Sequence, residues 1–147
     1  MTRINANLKV SSLTDAHLLA EHREIKRICN RLKKRLEMKK FDDIPNKFCL
    51  GQGHELFFVN KGLFTFNRYI RLYNECKLRG FDVADYSSNW DIYKSNTKYF
   101  NDWKATDIDN QLVIDRITNR LNDQIKAPRY FRSNISISQS IYLLKKN

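Results

Sequence analysis

Apolar residues recur at helical spacing in three stretches of this chain, and each stretch predicts a helix. Leu18, Ile25, Cys29, Leu32 and Leu36 fall on one face of a long helix over residues 15–39. Thr14 stands where an N-cap belongs, with Leu13 placed to staple against Leu18. Phe66, Tyr69, Ile70, Tyr73 and Cys76 form the stripe of a second helix over 62–79, and Gly80 is its predicted C-terminal stop. A capping-box-like Thr106-x-x-Asp109 opens a third, running to about residue 126 on Ile114, Ile117, Leu121 and Ile125, before Pro128 breaks it. Residues 1–13, 41–61 and 81–105 carry no such period. The middle stretch holds Pro45 and the turn Gly51-Gln52-Gly53-His54; the last is rich in aromatics. The expected architecture is all-α: one compact domain over residues 1–147, with an extended N-terminal segment and irregular loops.

Charge adds a partner to this picture. Lys and Arg number 27 against 16 Asp and Glu, a net charge of +11. Residues 21–40 alone hold nine basic and three acidic side chains, so over half the net charge sits in one segment. Such an excess favours a polyanion through phosphate neutralisation and counterion release. Arg23, Arg27, Arg31 and Lys34 lie on the side of the first helix opposite its apolar stripe, and Arg116 and Arg120 sit one turn apart on the third. The tail Arg129-Tyr130-Phe131-Arg132 interleaves aromatics with cations; Tyr130 and Arg132 either stack on and contact nucleic acid or help close the core.

Other chemistries find little support. Cys29, Cys49 and Cys76 are widely spaced and read as buried thiols in a reducing compartment. No His-Glu-x-x-His, clustered Cys/His or calcium loop is present, so no metal is expected. The Gly51–His54 turn lacks the Gly-Lys-Ser/Thr of a phosphate loop and reads as structural. No apolar run reaches membrane-spanning length and the first residues lack a signal core, so a soluble, cytoplasmic protein is expected.

One carboxylate stands out. At 100° per residue Glu24 falls on the border between the apolar stripe and the basic face, among Arg23, Arg27 and Arg31. It is either an ordinary charge neighbour on a solvated helix or a half-buried general acid or base beside a groove of cations. His17 lies two turns earlier on the same flank.

Several segments resemble the phage pyrimidine-dimer DNA glycosylase family. They are Met1 to Asn5; Asp15-Ala16-His17-Leu18 with Ala20-Glu21-His22-Arg23-Glu24; Phe48 to His54 with Phe57-Phe58; and Glu75-Cys76 with Arg79-Gly80-Phe81. Residues 81–115 align poorly. The resemblance implies three helices with little or no sheet, and an N-terminal segment threaded between the first and third so that Thr2 approaches Glu24. It further implies that Met1 is removed and that the α-amino group of Thr2 is the nucleophile. Such an amine has a pKa of about 7.7–8.0, against about 10.4 for lysine, and nearby arginines lower it further. Glu24 then corresponds to the essential carboxylate. Arg3, His17, Arg23 and Arg27 correspond to residues that contact DNA near the lesion, and Arg120 to a phosphate-binding arginine.

The implied activity is excision of cyclobutane pyrimidine dimers, followed by abasic-site cleavage. It proceeds through an imine and β-elimination on bent duplex DNA with a flipped base, without metal or organic cofactor, by a monomer acting in the host cytoplasm. Four positions differ from the family: Ala16 replaces a glutamine, Lys26 a proline, and Tyr130-Phe131 a Trp-Tyr pair. These bear on lesion preference, which keeps another damaged or modified base open as substrate. A non-catalytic basic DNA-binding protein would explain the charge but not the separation of Thr2 from Glu24.

Overall fold

A computed structural model of the protein describes residues 2–147; Met1, and with it the question of its removal, lies outside the described residues. Among the described residues six α-helices carry the fold: α1 (Asp15–Glu24), α2 (Arg27–Met38), α3 (His54–Phe57), α4 (Gly62–Leu78), α5 (Asp107–Asn122) and α6 (Ile137–Lys145). The only sheet among the described residues is a hairpin of β1 (Arg129–Tyr130) and β2 (Ser133–Asn134). The chain is all-α in class, as its periodicity predicts. No described helix is long and apolar enough to cross a membrane.

The expected helix 15–39 is interrupted. Ile25 and Lys26 keep right-handed helical angles, but the amides of Ile28 and Cys29 bond three residues back, to the carbonyls of Ile25 and Lys26. This 3-10 step separates α1 from α2 without proline. Hydrophobic spacing cannot register it, because the helical direction of the chain persists and Leu18, Ile25, Cys29 and Leu32 all stay buried. The Lys26 ammonium lies 3.5 Å from the centre of the Tyr86 ring, a cation–π contact that ties the step to residues 81–105.

The second and third helices follow their predicted starts more closely than their predicted faces. Gly80, at φ +85°, closes α4 with a Schellman pair: Phe81 N–H donates to Cys76 O and Gly80 N–H to Lys77 O. Ile70, expected on the buried stripe of α4, is exposed. Thr106 and Asp109 form a reciprocal capping box at the start of α5, with bonds of 3.1 and 3.0 Å. That helix ends at Asn122 rather than 126, so Ile125 lies beyond it, fully exposed. The irregular stretch 81–105 winds as 3-10 turns over Ser87–Ser95 and Thr97–Tyr99, and buries Trp90, Tyr93 and Tyr99. A sixth helix follows the tail, opened by a second capping box, Ser136 with Gln139. Of the three thiols, Cys29 and Cys76 are buried and Cys49 only partly so.

Two buried ion clusters connect the elements. In the first, Arg79 at the end of α4 pairs with Glu75 (3.0 Å) and with Asp15 at the start of α1 (2.9 Å). Asp15 also accepts the amides of Phe131 (3.1 Å) and Arg132 (2.8 Å). These two residues form the hairpin tip with φ of 50° and 68°, a conformation that costs a non-glycine residue roughly 1–2 kcal/mol. The carboxylate of Asp15 offsets that cost by taking both amides, so the tail hairpin is held on the N-terminal end of α1. The second cluster, Glu21 with Arg68, underlies the N-terminal segment and is part of the site.

Candidate active site

Residues 2–5 run between α1 and α5, and three successive amides are each captured by a different side chain. Arg3 N–H donates to Glu24 Oε1 (3.2 Å), Ile4 N–H to His54 Nε2 (2.9 Å) and Asn5 N–H to Glu21 Oε2 (3.2 Å). Asn5 adds a side-chain bond to Glu21 (2.7 Å) and accepts one from Arg116 on α5 (2.9 Å). Extended backbone has no partners of its own, so each buried amide must find one in the surrounding helices. The result is a strap whose register is set residue by residue. Thr2 is buried directly beside the Arg3 amide that meets Glu24.

The two carboxylate acceptors differ in their ion pairing. Glu21 is 1% exposed and Arg68 0%, and Arg68 grips it with two bonds, 2.7 and 2.9 Å, while also donating to Leu8 O. Glu21 is therefore neutralised by its partner. Glu24, 7% exposed, has no ion pair among the described residues and accepts the Arg3 amide. Its burial exceeds the half-buried position expected from the helical angle. A hollow of about 20 Å³ opens beside it, walled by Arg3, His17, Arg116 and Arg120 over Ala20. That is room for about one water, so a sugar must be met at its mouth. Three guanidinium groups thus surround one unpaired carboxylate.

Those cations, with burial, control His17. Burial first, then Arg120, Arg3 and Arg116, lower its pKa from 6.5 to about 4. The ring is neutral at pH 7, with Nδ1 3.3 Å from Thr14 Oγ1. Burial likewise pushes Arg116 down to about 10. His22, wedged among Tyr69, Tyr73 and Tyr86, and His54 are also lowered, chiefly by burial.

Because these folded pKa values lie below the unfolded one, the unfolded chain takes up protons that the folded chain refuses. Stability is therefore full above about pH 6.5 and falls as pH drops toward about 4. Each unmatched proton contributes a slope of about 1.4 kcal/mol per pH unit. Urea midpoints should drop steadily from pH 7 to 4.5, and His17→Asn should flatten that slope by about one proton. An unchanged midpoint between pH 7 and 5 would contradict the histidine environments.

The candidate residues separate into groups. Arg3, His17, Glu24, Arg116 and Arg120 line the hollow, and Thr2 is buried next to Arg3 in the strap without lining it. Arg23, Arg27 and Lys34 are exposed on the flank of α1 and α2. Arg31 turns to Glu55 of α3, its Nε 3.0 Å from Oε1 without hydrogen-bond alignment. Tyr130 donates its hydroxyl to Ser11 O (2.7 Å) and covers the buried Arg79 at 4.6 Å. Arg132 is exposed at the hairpin tip, beside Asp15. The nine-position separation of Asp15 and Glu24 puts that tip about 14 Å along α1 from the hollow.

Sequence reasoning missed Asn5, Glu21, His54 and Arg68 as parts of the site. Arg68 gave no signal, a cation inside an apolar helix face. His54 had one, the glycine-flanked turn that aims its ring inward, but it read as a structural feature. Among the described residues no three His, Cys, Asp or Glu side chains group to hold a metal ion. Residues 1–89, which include the whole strap and its acceptors on α1 and α3, match the family described as pyrimidine dimer DNA glycosylase.

Proposed function

The chain belongs to the pyrimidine dimer DNA glycosylase family, a family of DNA repair enzymes acting on dimer-containing DNA, and we propose that it is bifunctional, coupling base excision to abasic-site cleavage through the Thr2 amine. The carrying observation is the 3.2 Å bond between the Arg3 amide and Glu24, which sets residue 2 against an unpaired buried carboxylate ringed by arginines. The unprotonated amine attacks the anomeric carbon of the 5′ nucleotide of the dimer. The glycosidic bond breaks, its electron pair leaving with the base; the bound amine then loses a proton, and its lone pair forms the C1′=N bond as the C1′–O4′ bond breaks and O4′ takes up a proton, leaving the opened sugar as a protonated imine. The protonated imine acidifies the neighbouring C2′ hydrogen. Loss of that proton expels the 3′ phosphate oxygen and cuts the strand. One difficult displacement is thereby divided into easier steps.

Glu24 supplies negative charge where the sugar turns cationic, and a site for the C2′ proton. Arg3, Arg116 and Arg120 hold the amine unprotonated by disfavouring a further positive charge, and they receive phosphates. Arg23, Arg27 and Lys34 extend that basic surface along the duplex. Arg116 and Arg120 belong to α5, beyond the matched segment, which supports reading residues 1–147 as one functional unit. Ala16 is exposed beside His17 and offers no polar group, which favours a lesion preference different from that of enzymes with glutamine there, with the chemistry unchanged.

Borohydride reduction during reaction tests the proposal. With a dimer-containing or abasic duplex it should trap a covalent adduct, and peptide mass mapping should put it on residue 2 of a chain lacking Met1. An adduct on an internal lysine, or full activity with Met1 retained, would refute the terminal-amine mechanism.

A further inference from the structure

His54 takes no part in the chemistry above, yet its protonation state is forced by its two partners. It opens α3 directly after Gly53, whose φ of +89° turns the chain inward, and is 1% exposed with ring edges against Phe48 and Phe58. Its Nδ1 lies 2.8 Å from Cys49 O, and a carbonyl only accepts, so Nδ1 carries the proton. Its Nε2 lies 2.9 Å from the Ile4 amide, which only donates, so Nε2 is bare. We propose that His54 is a positioning residue for the terminal amine: the neutral ring fixes Ile4, and through it the register of Thr2 against Glu24.

This rests on the reading of Thr2 as nucleophile and adds the device that holds it. An extended strap displaced by one residue moves its end by about 3.3 Å. A misplacement near 1 Å already costs on the order of a hundredfold in rate. Glu24 and Glu21 capture the amides on either side of Ile4, but both approach from α1. His54 approaches from α3, so the strap is gripped from two elements.

The grip works in one protonation state only. A proton on Nε2 would turn the acceptor into a donor aimed at another donor, in a ring without access to water. Charged groups face the ring from three elements: Glu55 on its own α3, Glu21 on α1, already paired with Arg68, and Arg116 on α5. Burial outweighs them and lowers the ring's pKa. The strap therefore holds through neutral pH and releases only in acid.

Two variants and one spectroscopic readout decide the matter. His54→Gln can present Oε1 in place of Nε2 and cannot titrate; His54→Leu has no acceptor. In the unaltered chain, the His54 ring should titrate below pH 6.5 by NMR, and the Ile4 amide resonance should shift with the same midpoint. His54→Leu should bind a dimer-containing duplex within a few-fold of the unaltered chain, yet form the trapped adduct at least tenfold more slowly. His54→Gln should recover most of that rate and lose the acid limb. A folded His54→Leu that traps at the unaltered rate would overturn the proposal. So would an Ile4 amide that ignores the His54 titration, which decides the question even if His54→Leu fails to fold. If the unaltered chain forms no adduct at residue 2 while Ile4 still follows His54, the nucleophile reading fails and the strap contact stands.

Discussion

Glu24→Gln should bind a dimer-containing duplex at least as tightly as the unaltered chain and process it about 10²–10⁴-fold more slowly, the range associated with general acid–base groups. The substitution keeps shape and keeps an oxygen that can accept the Arg3 amide, now 3.2 Å from Glu24. The strap should stay in place, so the loss reports charge rather than position. Removing one negative charge from a hollow lined by Arg3, Arg116 and Arg120 cannot weaken phosphate attraction. Single-turnover excision beside a binding titration separates the two quantities. Turnover within a few-fold of the unaltered chain would reduce Glu24 to a partner of the strap.

Arg68→Leu should cause the largest loss of stability of any single substitution at the site, about 3–5 kcal/mol. Arg68 is fully buried, and its removal leaves Glu21 charged at 1% exposure with only the donors of Asn5, while Leu8 O loses its donor as well. Replacing both, Glu21→Leu with Arg68→Leu, should recover much of that stability, because no uncompensated charge remains. It should not recover activity, because both donors of Asn5 then lack an acceptor and Arg116 loses a fixed partner. Denaturant midpoints of the two single variants and the double variant should therefore be strongly non-additive. A folded Arg68→Leu within about 1 kcal/mol of the unaltered chain would show that the pair contributes nothing beyond a packed apolar contact.

What the amino-acid order determined by itself is local. Thr106 and Asp109 cap α5 and Gly80 closes α4 because each depends on residues within one or two turns of one another, and the stripe from Leu18 to Leu32 follows from spacing repeated along one stretch of chain. Charge was legible for the same reason: the cations of residues 21–40 are adjacent in the chain, and a polyanionic partner follows from their sum. Glu24 was legible as a border residue and, through the resemblance, as the carboxylate facing Thr2. The tertiary structure alone decided which side chains hold the strap that carries Thr2. Bonds from Asn5 to Arg116 and from Ile4 to His54 span 111 and 50 residues, and no periodicity encodes which distant side chain takes an extended segment's amide. Arg68 reads as a cation out of place on an apolar face until Glu21 is seen beneath it. Ile125 satisfied the helical spacing yet lies past the end of α5, since spacing predicts a face but not where the helix ends. The 3-10 step at Lys26 likewise meets a residue far along the chain, Tyr86, and such long-range pairing is a property of the folded surroundings rather than of the segment.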